Sequence, residues 1–227
     1  MSRNGLLGVA LVAIVVIGGC SKTEGTKPEP ASVGTGGAGA DVKSDGDFVE
    51  DVALKNMAEI QLSRLALEKA TSPELKVFAQ KMIDDHSAAG EKLKSIVSGQ
   101  SIQWPAQLDD KHTETADELA KKQGADFDRE YVKAMVEGHQ NLAAKLESRL
   151  DVQSLAAWKT AAAGRTESKA LPEPNVALPD VAVRPNKSDS DITMKINQWA
   201  ADTFPVAQKH LDTARTLENA MKKRSTH

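Results

Sequence analysis

The sequence predicts an all-α protein, four long helices bundled side by side with a long crossover between the second and the third. Three observations predict it. Four separate stretches place apolar residues at steps of three and four, the period of a helix with one buried face. Aromatic residues make up only 4% of the 227, so the interior must be built from Leu, Ala, Val and Met. Finally, "FAQKMIDDHSAAGEKL" at 78–93 and "YVKAMVEGHQNLAAKL" at 131–146 read almost as copies, each with Met-x-x-x-His and a closing Lys-Leu.

The chain opens outside this pattern. Arg3 precedes an apolar run, Leu6 to Ile17, that is short for a bilayer span. Ile17, Gly18, Gly19 and Cys20 follow, and this ending resembles a bacterial lipobox. The expectation is a lipoprotein signal peptide at 1–19 and lipidation of Cys20, the chain's single cysteine. A plain signal peptide and an uncleaved anchor are the alternatives. Several acyl chains on one cysteine anchor a protein to the lipid bilayer stably, at about 0.8 kcal/mol per buried methylene. By resemblance to proteobacterial lipoproteins, Ser21 in place of Asp favours the outer membrane, facing the periplasm. Residues 20–46 are rich in Gly, Pro, Ser and Thr and bury too little apolar surface to offset the cost of ordering, so a flexible tether is expected there.

The domain is expected at 47–223. Asp47 can cap a first helix over about 48–70, with Phe48, Val52, Glu59, Leu62 and Ala66 on one face. Ser72 caps a second helix over about 73–98, with Pro73 in its first turn, a stripe from Leu75 through Met82 and His86 to Ile96, and Gly99 to close it. Residues 99–123 form the crossover: a loop containing Trp104, then "LDDKHTETADELAKK" as a short amphipathic helix. Such length is unusual between neighbouring antiparallel helices. A long crossover between two helical hairpins is the ferritin-like arrangement. The third helix, about 126–149, carries Val132, Met135, His139, Leu142 and Leu146. "VQSLAAWKTAAA" extends it or forms a short helix of its own. A Pro-rich insertion at about 164–188 reads as a loop, extended on the bundle or disordered, with no sheet for "NVALPDVAV" to join. The last helix, about 190–221, has Ile192, Ile196, Trp199, Val206, His210, Ala214 and Leu217 on its stripe. Pro205 should bend it one turn before His210.

Several functions are disfavoured by what is missing. The net charge is −3 without a block of basic residues, so nucleic-acid binding has no electrostatic footprint. One cysteine provides no redox pair. "GTGGAG" lies in the tether, where it is spacer and no phosphate loop. No serine sits on a nucleophile elbow.

What remains is a layer of histidines. Each of the last three long helices carries one on its apolar stripe, and the first carries Glu59 there. All four lie within two or three turns of their helix midpoints, which meet at one level in an antiparallel bundle. Neutral imidazoles hydrogen-bonded to Glu59 or to one another would make a satisfied structural layer. The same groups, Glu59, His86, His139 and His210, suit zinc, iron or copper. Met82 and Met135 lie one turn before His86 and His139, and thioethers facing the cavity would favour copper. A shifted register would instead put the histidines at the surface. Di-iron chemistry is poorly supported: it needs Glu-x-x-His on two helices, and Ile83, Val136 and Ala207 stand three residues before the three histidines. The single acid-x-x-His pair, Asp109 and His112, falls on the crossover. Asp84, Asp85 and Glu137 border the histidines; an acid there can orient a ring from outside, although Asp84 and Glu137 fall off the stripe, toward solvent.

The run from Asp47 to Leu93, with "FDREYVKAMVEGHQNLAAKLE" and "WAADTFPVAQKHLDTARTL", resembles the bacterial domain of unknown function family 4142, exported proteins with a ferritin-like helical bundle. The resemblance rests on Glu59, Lys69, Ala70, Phe78, Met82, Asp85, His86, Phe127, Asp128, Tyr131, His139, Pro205 and His210. It implies fold and export and no settled activity. The longer link before the last helix and His112 depart from the family pattern. The expected function is an envelope-anchored lipoprotein with a non-catalytic binding role, with a transition metal as candidate ligand. The alternative is a structural or stress-related protein that docks an envelope protein or cell-wall partner. A metal-dependent redox enzyme is a distant third.

Overall fold

The computed structural model describes residues 37–163 and 178–224. Among them are six helices: α1 (Gly37–Lys69), α2 (Pro73–Val97), α3 (Asp110–Ala120), α4 (Gly124–Glu147), α5 (Val152–Ala163) and α6 (Asp191–Arg224). The described residues contain no strand, only an isolated antiparallel bridge between Leu150 and Pro185. The protein is all-α. None of the described helices is long and apolar enough to cross a membrane. The expected signal peptide, Cys20 and most of the insertion lie outside the described residues.

The apolar stripes explain the packing. The most extensive helix pairs are α1 with α2 and α4 with α6, followed by α1 with α4 and α2 with α6, and α1 also touches α6. Two hydrophobic clusters result. One gathers Phe48, Val52, Leu93, Leu142, Trp199 and Phe204, with Trp104 of the crossover packed against it. The other gathers Leu62, Phe78, Met82, Tyr131, Met135 and Leu217. Glu59, His86, His139 and His210 belong to neither and fall between them along their helices.

The helix ends follow their sequence signals in most places. Ser72 accepts a hydrogen bond from the Leu75 N–H, and Pro73 opens α2. Gly99 takes φ +77° just beyond it, in the left-handed region that favours glycine. The α1–α2 turn is held from α4: Asp128 accepts from the Thr71 N–H at 3.0 Å and from the Thr71 hydroxyl. Lys69 donates to the Ala120 carbonyl and lies over the Phe127 ring.

Two boundaries differ from expectation, and one left between two readings is resolved. The first helix begins at Gly37, so 37–46, expected as tether, is helical and Asp47 lies inside the helix instead of capping it. Tertiary contacts outweigh the low helix propensity of glycine here: Asp45 is fully buried, accepting from Thr193 of α6 at 2.6 Å and pairing with Arg149. Gly124, expected to end the crossover helix, instead opens α4 with φ +57°. "VQSLAAWKTAAA" is a separate helix, because Leu150 and Asp151 turn aside to pair with the chain at Arg184–Asn186. That end of the insertion lies extended, with Val181 and Val183 against the first cluster. α6 runs continuously through Pro205.

Candidate metal centre

The four long helices each bring one side chain to the same place. Glu59 comes from α1, His86 from α2, His139 from α4 and His210 from α6, and all four are buried, His139 completely. His86 Nε2 lies 3.3 Å from His139 Nε2, and His139 Nε2 lies 3.3 Å from His210 Nδ1. Glu59 Oε2 is 3.0 Å from His86 Nε2 and 3.4 Å from His139 Nε2. One nitrogen from each of the three rings lies within 4.8 Å of the other two.

The opposite nitrogen of each ring fixes which one carries the proton. Asn56 Nδ2 donates to the His86 carbonyl at 2.8 Å, which turns Asn56 Oδ1 toward His86 Nδ1 as an acceptor at 2.9 Å. His139 Nδ1 faces the Met135 carbonyl at 2.9 Å. His210 Nε2 faces Asp85 Oδ2 at 2.7 Å, and Lys81 pairs with the same carboxylate. A neutral imidazole has a single N–H. All three are directed outward to acceptors, so His86 Nε2, His139 Nε2 and His210 Nδ1 present lone pairs inward. They face a carboxylate, both of whose oxygens are buried without a hydrogen bond. Four acceptors thus converge with no donor among them. In a buried setting that arrangement is strongly unfavourable until a cation sits between them.

The surroundings favour neutral rings at His139 and His210 and a charged carboxylate at Glu59. Burial disfavours imidazolium, and together with repulsion from the other two rings it outweighs the attraction of Glu59, bringing His139 to about 4. Burial also pulls His210 below its ordinary value, against the raising effect of Asp85. Burial alone would raise the Glu59 carboxyl; positive charge on His139, His86 and His210 overrides it and holds the group at about 2. As pH falls, His139 therefore takes up a proton while Glu59 keeps its charge.

Two glycines make room for this arrangement. A Cβ at position 138 would stand 2.6 Å from Glu59 Oε1, and a Cβ at position 90 would stand 2.6 Å from Asn56 Nδ2. Both contacts are too close for any other residue without a shift of the α1 side chains. Gly138 thus lets the carboxylate lie against α4, and Gly90 lets Asn56 reach α2.

The residues picked from the stripes are placed as follows. Glu59, His86, His139 and His210 converge. Met82 and Met135 are fully buried in the second cluster, where they pack as core. Asp109 and His112 form the exposed cap of α3, with Asp109 accepting from the His112 N–H. Sequence reasoning missed Asn56 and the two glycines. Asn56 had a signal, since it stands three residues before Glu59 on the same helix face. The clearance at Gly90 and Gly138 had none, because it depends on which helix lies opposite. Asp85 was noticed as a neighbour of His86; the ring it orients is His210, on another helix.

A family model described as Domain of unknown function (DUF4142) matches residues 31–168. Glu59, His86 and His139 fall inside that span, and His210 falls beyond it. No curated protein and no solved structure matches the chain.

Proposed function

The chain belongs to the DUF4142 family of domains of unknown function, and from that premise we propose that it is a metal-binding lipoprotein of the cell envelope. One observation carries the metal reading: three imidazole lone pairs and an unbonded carboxylate point at one another from four helices. Metal–nitrogen bonds of 2.0–2.1 Å in a tetrahedral site separate the donors by about 3.3 Å, and the four separations above lie at or near that value. The outer acceptors Asn56, Asp85 and the Met135 carbonyl are the groups that orient ligating histidines. Imidazole with carboxylate suits a divalent first-row ion, zinc, iron or copper. A bound dication would leave the site with a net charge of +1 after Glu59.

The envelope reading is supported by the sequence of residues 1–20, with Cys20 as the acylated residue. The long connection from α2 to α4 supports reading the long helices as a ferritin-like four-helix bundle. The protein would then hold its metal near a membrane surface, as a carrier or sensor. The competing reading, a satisfied structural network, requires a proton inside the ring of acceptors.

Metal content decides between them. The full-length chain, purified in detergent without chelator and incubated with micromolar zinc, iron(II) or copper(II), should carry about one ion per chain by mass spectrometry of the metal. His86→Ala combined with His139→Ala should carry none. Absence of metal from the unaltered protein under reducing and oxidising conditions alike would refute the proposal.

A further inference from the structure

On one side of the histidine layer, toward the first cluster, lies a cavity of about 20 Å³. His86 and His210 form part of its wall, and Val52, Ala89, Leu142 and Ala207 line it on the apolar side. These residues stand three to seven positions from the site residues of their own helices, so the cavity starts at the two rings and extends about one to two turns away from the layer. It is partly enclosed and reaches toward the surface between α2 and α6, where Asp85 and Thr203 also line it. Two small side chains, Ala89 and Ala207, sit where larger ones would fill the space.

We propose that this cavity seats a second, exogenous ligand of the bound metal, an uncharged diatomic molecule of the dioxygen class. The inference rests on the metal reading above. Three imidazoles and one carboxylate leave a first-row ion able to accept a fifth ligand. The cavity lies against two of the three rings, and on the other side of the layer Met82, Met135 and Tyr131 pack in the second cluster. Its volume exceeds the ~10–15 Å³ that one water requires, enough for one or two heavy atoms and too little for an organic substrate. Walls made mostly of aliphatic and indole carbon favour an uncharged guest, because an anion would lose its hydration there without compensation.

Nitric oxide is the probe. The full-length protein is loaded anaerobically with iron(II), its iron content measured, and nitric oxide added. An iron–nitrosyl electron paramagnetic resonance signal of spin 3/2 is expected at about one per iron. Ala207→Leu, which fills the cavity from α6, should keep the iron content and lower nitric oxide affinity at least tenfold. Ala89→Val, filling it from α2, is the second variant should Ala207→Leu fail to fold, and the same loss is expected of it. Iron bound without a nitrosyl signal, or a nitrosyl formed equally well in a folded, filled variant, overturns this proposal and leaves metal binding standing. Failure of the unaltered protein to bind iron, zinc or copper overturns both.

Discussion

His86, His139 and His210 each direct their single N–H away from one another, to Asn56, the Met135 carbonyl and Asp85. Those three acceptors decide that the inward nitrogens are bare, and the bare nitrogens make the cluster a cation site. The same geometry sets the response to acid. His139 titrates at about 4 in the fold against an ordinary value of 6.5. Between these values the unfolded chain binds a proton that the native protein does not. The stabilisation from the neutral ring is therefore complete above 6.5 and is lost as pH falls toward 4. At about 1.4 kcal/mol per unit the loss from His139 alone is roughly 3 kcal/mol, and His210 acts in the same direction. Glu59 adds a further loss from 4.5 down to about 2, because its folded carboxyl is the depressed one. Urea midpoints of the metal-free protein at a series of pH values should fall steadily from about pH 6.5 to pH 4. A flat midpoint across that range contradicts the burial of neutral rings.

At the scale of the helices, close approach does what side-chain chemistry alone cannot. α1 lies near enough to α4 that the Glu59 carboxylate rests 2.6 Å from where a Cβ of residue 138 would stand. Gly138→Ala should push Glu59 off the cluster. We expect at least a tenfold loss of metal affinity by competition with a chromophoric chelator. Forcing a methyl into this packed core should also cost about 1–3 kcal/mol in metal-free stability. Unchanged affinity would mean that Glu59 does not take part. This dependence on the opposite helix marks where the sequence stops being legible. The stripes of α2, α4 and α6, and the presence of Glu59 on that of α1, were legible because burial imposes the helical period on the residue types themselves. Asp85 was legible as an acid beside a histidine, yet its partner His210 is 125 positions away and depends on how α2 and α6 meet. The start of α1 was hidden because its Gly- and Ala-rich turns carry the composition of a linker. The pairing of Asp45 with Arg149 and Thr193, and of the Ser44 carbonyl with Arg149, all distant in the chain, shows that this end of the helix is docked. The sequence of α5 fits a continuation of α4 and a separate helix equally, and the bridge from Leu150 to Pro185 makes it a separate helix.

The molecule as a whole places one polar layer between two apolar clusters. The clusters hold the four helices in register, so the layer is preorganised before any ion arrives. An ion that binds only the folded chain will stabilise it, by about 4 kcal/mol at a thousandfold excess over Kd, and will oppose the acid loss described above. The most direct measurement is X-ray absorption at the edge of the bound metal, on the full-length protein loaded with one equivalent of zinc. Three nitrogen ligands at about 2.0–2.1 Å, with the outer-shell scattering of imidazole rings, and at least one oxygen are expected. A spectrum of oxygen ligands alone, without imidazole scattering, would place the ion elsewhere and contradict the central claim.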